Sequence, residues 1–115
     1  MINPKIIKIA LDTKYSGLNN SFTHRSSIKN SLCGDKIKVE VIANSTKINS
    51  MRYETESCIL CEASASLMAR KIKGYSLKNF KKNIKTLKQF IKTRKSKLPS
   101  KFKEYKFFLT KNNIN

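Results

Sequence analysis

The sequence has no tryptophan, a single histidine and only 7 acidic residues, and it lacks any apolar run approaching the roughly eighteen residues of a membrane span. Each shortage removes a class of function. With 3 glycines and His24 as the lone histidine, no phosphate-cradling glycine loop, nucleophile elbow or Cys-His pair with a third orienting residue can be drawn. His24 itself lies in a polar stretch and is expected to face solvent. The N-terminal MINPKIIKIALDTK shows no long apolar block followed by a small-residue cleavage site, so the expectation is a soluble, cytoplasmic protein with no membrane partner. Cysteine is scarce too. Cys33, Cys58 and Cys61 are odd in number and accompany no secretion signal, which argues against a disulfide framework and for reduced thiols acting as ligands or reactive groups.

Lysine is what the chain has in excess. Lys and Arg total 25, the formal charge is +18, and only Arg25, Arg52, Arg70 and Arg94 are arginine. Such a charge points to nucleic acid, an anionic surface or an acidic partner. Lysine beside abundant Asn and Ile is also what A+T-rich codons yield, and charged faces are mostly solvated. No aromatic RNA-recognition motif is present and lysine is spread over every segment, so a nucleic-acid-binding module stands only as a reading of another class. At 115 residues and 39% hydrophobic content, one domain with one modest core is expected.

Periodicity divides the chain. NPKIIKIALD places Ile6, Ile9 and Ala10 at helical spacing with Pro4 in the first turn, and the helix stops before Tyr15-Ser16-Gly17. From Leu18 to Leu32 the chain is polar and hydroxyl-rich, extended chain and loop with room for one strand whose position the pattern does not give. In KIKVEVIA, Ile37, Val39 and Val41 alternate with Lys36, Lys38 and Glu40 as in a half-buried strand. A turn at Asn44-Ser45-Thr46 leads to KINSMRYETE, which alternates again with Met51, Tyr53 and Thr55 on one side. From Cys58 the period becomes helical, through Cys61, Ala65, Met68 and Ile72, to a stop at Gly74. Ser76 caps a further helix carrying Leu77, Phe80, Ile84, Leu87 and Ile91; TRKSKLPS is a linker, and FKEYKFFL a last short helix. The sum is an α+β domain, a small antiparallel β-sheet with helices packed on one face.

Two places carry chemistry. In Cys33-Gly34-Asp35 the glycine lets the backbone turn tightly, so a thiol and a carboxylate can address one small volume, half of a site for Zn or Fe. Cys58 stands where strand gives way to helix, beside unpaired N–H groups and the positive end of the helix dipole, which favours an anionic sulfur. Cys61 lies one turn further on the same face, either as a second thiol or as a small core residue.

Taken together, NSLCGDKIKVEV, the hairpin and SCILCEASASLMARKIKG resemble the N-terminal scaffold domain of the NifU/IscU/SufU family of iron-sulfur assembly proteins. KYSGLNNSF fits the Gly-Leu step upstream, and ASASLMARKIKG is similar to NifU-like scaffolds of alphaproteobacteria. The resemblance covers roughly residues 3 to 93 and is strongest from Asn30 to Gly74. It implies a SufE/NifU-like fold and a non-enzymatic carrier that holds a nascent Fe-S cluster, of the two-iron, two-sulfur kind, or iron. A cysteine desulfurase supplies the sulfur, and acceptor apo-proteins receive the cluster. It further implies Cys33 and Cys58 as ligands, Asp35 as the residue that keeps the site labile, and Zn as an alternative occupant, which would make the protein a zinc-bound sulfur acceptor activating the desulfurase.

One departure stands out. The family's third ligand cysteine, in its C-terminal helix after a Pro-Ser-Arg-like step, has no counterpart after Cys61. One alignment puts Glu104 at that position; another makes FKEYKFFL an earlier helix and residues 1–115 a single domain lacking the last helix. Either way Cys61 is the only substitute thiol, and the expected site is Cys33, Cys58 and Cys61 assisted by Asp35.

Overall fold

The structure is a computed structural model that describes residues 3–29, 34–93 and 98–109. Its first element, helix α1 (Pro4–Leu11), starts where Asn3 Oδ1 accepts the Lys5 N–H at 2.9 Å and Pro4 fits the first turn. It buries Ile6, Ile9 and Ala10, the stripe expected from the sequence.

Three strands, β1 (His24–Lys29), β2 (Lys36–Ala43) and β3 (Ile48–Glu56), form an antiparallel sheet in the order β1-β2-β3. The hairpin pairs Lys36 with Glu56 and Val41 with Met51, and Asn44 Oδ1 accepts the Thr46 and Lys47 N–H groups at its turn. β1 is the strand hidden in the polar stretch. All six residues of HRSSIK are exposed, so it owes its place to pairing with β2 rather than to an apolar pattern of its own.

Helix α2 (Ile59–Ile72) is the central element, packed on β3 on one side and on α1 and the final 3-10 helix on the other. Because it is covered from two sides, burial extends beyond the single expected stripe to Ala63, Ser66, Leu67 and Ala69. Small side chains let the neighbours approach closely. Gly74 then takes φ +74°, a left-handed turn, and its N–H donates to Ile48 O at 2.7 Å, so the α2–α3 connection runs along the start of β3. Helix α3 (Leu77–Thr93) is capped by Ser76, whose Oγ accepts the Asn79 N–H at 3.3 Å.

The last segment is a 3-10 helix, Ser100–Leu109, irregular at Phe102. Phe102 is fully buried and meets Tyr75 and Tyr105 edge-on at 6.4 and 6.1 Å between ring centroids. This aromatic seam fixes the segment to α2 and to the α2–α3 connection.

The face of the sheet away from the helices holds a departure from the strand pattern. Glu40 alternates with apolar residues yet is only 2% exposed. The chain at 15–20 crosses that face. Asn19 and Asn20 donate their N–H groups to Glu40 Oε1 at 3.0 and 3.2 Å, and Arg52, opposite Glu40, donates to the Ser16 and Gly17 carbonyls at 2.7 Å each. Main-chain partners hold one oxygen of this buried carboxylate, Oε1, without leaving a mark in the side-chain sequence, while Oε2 is buried with no hydrogen-bond partner.

Candidate functional site

The register of the hairpin brings the two motifs together. Since Lys36 lies opposite Glu56, the residues flanking that pair, Asp35 and Ser57-Cys58, meet at one corner of the sheet. The Cys58 backbone N–H donates to Asp35 Oδ1 at 3.3 Å. Cys58 is the N-cap of α2, in extended backbone conformation (φ −69°, ψ 167°), and its side chain makes no capping bond. The thiol is therefore left outward, and it is exposed. Asp35 supplies the negative charge and the acceptor that an N-cap cysteine does not provide well.

Gly34, just before Asp35, has φ +76°, and an added β-carbon would meet nothing within 4 Å. Conformation, not crowding, calls for glycine there. Cys33 lies outside the described residues, as do Asn30 to Leu32, so the structure gives Cys33 no position. Cys61 is half-buried in the first turn of α2, three positions on from Cys58. Residues so spaced carry their β-carbons about 5–6 Å apart.

The corner has features that motif reading passed over. Thr55 at the end of β3 donates to Glu62 Oε2 in the first turn of α2, tying the strand to the helix beside the two thiols. Asp35 and Glu62 lie at this corner, whereas Glu54 and Glu56 stand opposite Lys38 and Lys36 on the face of the sheet away from α2, where Lys36 pairs with Glu56 at 3.7 Å. Thr55 at the end of β3 and Glu62 in the first turn were the legible signal. Among the described residues no three His, Cys, Asp or Glu side chains converge into a metal-binding group, so Asp35, Cys58 and Cys61 do not form a closed set by themselves.

His24 and Glu104 fall elsewhere. His24 opens β1 opposite Val41, with Nδ1 2.9 Å from Thr23 Oγ1. At about 3.3 Å per residue that is roughly 20 Å along β2 from Asp35. Glu104 pairs with Lys71, in the last turn of α2. At 1.5 Å per residue, Lys71 is about 20 Å along the helix axis from Cys58.

A family model described as the NifU-like N terminal domain matches residues 1–106. The chain belongs to that family. Its fold agrees: this NifU-like domain resembles the N-terminal part of a nitrogen-fixing NifU-like protein from Brucella abortus, with TM-score 0.80 and 20% identity, covering 92% of this chain and 74% of that one. It also resembles a protein of Fervidobacterium islandicum AW-1 described as an iron-sulfur cluster assembly scaffold for the SUF system. There the TM-score is 0.80 and the identity 19%, over 96% of this chain and 81% of that one. No curated protein sequence matches it significantly. Among the described residues no helix is long and apolar enough to cross a membrane.

Proposed function

We propose that this NifU-like domain is a non-enzymatic scaffold on which an iron-sulfur cluster is built as cargo. Cys33, Cys58 and Cys61 hold the iron with help from Asp35, a cysteine desulfurase delivers sulfur, and the finished cluster passes to acceptor apo-proteins. The observation that carries the reading is the contact between Asp35 and the Cys58 amide. It joins two motifs far apart in sequence at an exposed thiol on a helix N-terminus, within a chain of this family.

The arrangement favours loose holding. An exposed thiol and a carboxylate already engaged by a backbone N–H bind iron less tightly than a buried set of thiolates, which suits a cargo that must leave. Fe(II) titration of reduced apo-protein tests the ligand set. Replacing Cys58 by Ser should weaken binding by at least about tenfold, equivalent to about 1.4 kcal/mol, and Cys61→Ser by a smaller but measurable factor. Unchanged binding in Cys61→Ser would make that residue part of the core. A Zn(II) titration on the same samples, with desulfurase turnover as readout, tests the zinc-dependent sulfur-acceptor role.

A further inference from the structure

Helix α3 segregates its charge. Its sequence LKNFKKNIKTLKQFIKT contains Lys78, Lys81, Lys82, Lys85, Lys88 and Lys92 and no acidic residue. At about 100° per residue these six fall within an arc of about 120° on one flank. The other flank holds Asn79, Asn83 and Thr86. All six lysines are exposed, and among the described residues none is ion-paired.

The cationic flank borders an apolar groove. A cavity of about 290 Å³ is lined by Val41, Ala43, Ile48, Ile72, Leu77 and Phe80, with Lys81 and His24 at its rim. It lies at the end of α2 and the start of β3, the end of the molecule opposite Cys58. From Lys78 to Lys92 the lysines extend about 20 Å along the helix.

We propose that this groove and the lysine flank of α3 dock an acidic, amphipathic helical segment of a partner protein. Charge complementarity names the occupant. An apolar floor beside a row of cations accepts an element with one apolar edge and one acidic edge, running along α3 for several turns. A second copy of this chain is disfavoured because each copy carries +18. Nucleic acid is disfavoured because the floor is mostly aliphatic and offers no row of stacking rings. The surface is separate from the Cys58 corner, so it serves to recruit a protein rather than to hold the cluster.

The test uses the whole chain and a fluorescein-labelled synthetic peptide with leucines at i, i+3, i+4 and i+7 and glutamates between them, followed by anisotropy. The peptide should bind, and its scrambled version should bind at least about tenfold more weakly. The triple reversal Lys81→Glu, Lys85→Glu and Lys88→Glu should cost about tenfold or more, whereas Lys8→Glu, Lys29→Glu and Lys103→Glu, an equal change in net charge at other exposed sites, should stay within about threefold. Phe80→Ala, checked for retained fold by circular dichroism, should also weaken binding. Cys58→Ser should leave peptide binding unchanged, which separates this proposal from the scaffold reading. Equal loss in both triple variants, or equal binding of the scrambled peptide, overturns it. So does single-stranded oligothymidylate binding more tightly than the peptide and being lost in the α3 triple variant.

Discussion

Replacing Glu104 by Gln separates a structural role from a ligand role at a position where sequence alignment left both open. The Lys71–Glu104 pair has side-chain exposures of 25% and 19%, and Glu104 Oε1 is buried without a hydrogen-bond partner. Exposed ion pairs contribute about 0.2–1 kcal/mol, while removing one member of a fully buried pair costs about 3–5 kcal/mol. This pair lies between those limits. Lys71 can still reach water when left alone, and the unpartnered Oε1 offsets part of the attraction, so Glu104→Gln should cost about 1–2 kcal/mol. For a domain of this size that is a fall in Tm of roughly 4–8 °C. Thermal and urea unfolding of wild type, Glu104→Gln, Lys71→Met and the double variant should show coupling of about 1 kcal/mol. Fe(II) affinity should change by less than about twofold. If stability holds while affinity drops tenfold, Glu104 is a ligand and its placement beside Lys71 misleads.

Two further substitutions probe the last helical segment. Phe102→Ala removes a fully buried ring and should cost about 3–5 kcal/mol; a loss below about 1 kcal/mol in urea titration would mean the segment is not part of the core. Burial pushes the Tyr105 phenol up to about 12, against the opposing bond that the Ser64 hydroxyl donates to the phenol oxygen and with the help of the Glu104 charge. The unfolded chain loses that proton near pH 10 and the folded chain does not, so the tyrosine's contribution is complete below pH 10 and disappears as the pH rises toward about 12. The size is about 2–3 kcal/mol. Urea stability across that window should therefore fall more steeply in wild type than in Tyr105→Phe, the lysines being common to both. Parallel slopes would show that the phenol is not shielded.

Much of the fold was legible because its carriers are side chains with a period. Ile37, Val39 and Val41, then Met51, Tyr53 and Thr55, marked β2 and β3, and Pro4 and the Ser76 cap marked the starts of α1 and α3. Three features were illegible for physical reasons. β1 is an edge strand exposed along its length. The additional buried residues of α2 are Ala63, Ser66, Leu67 and Ala69, and one leucine among three small side chains does not register as an apolar stripe. Glu40 is buried by backbone amides of Asn19 and Asn20, which any sequence possesses.

The site divides the same way. Asp35 and Cys58 could be paired from their motifs, since strand register carries one to the other. That Glu104 belongs to Lys71 depended on how the last segment lies across α2, which no local pattern encodes. Lysine, spread through the whole sequence, proved to be gathered on one flank only within α3.

The most direct measurement is anaerobic reconstitution of reduced apo-protein with Fe(III) and sulfide, followed by visible absorption and by cluster transfer to an acceptor apo-ferredoxin. The scaffold account predicts a sulfide-to-iron charge-transfer band in wild type, its loss in Cys58→Ser with an unchanged circular dichroism spectrum, and activation of the acceptor by the loaded wild-type protein. A well-folded wild-type chain that gives no band, or a Cys58→Ser variant that assembles and transfers the cluster as well as wild type, would contradict it.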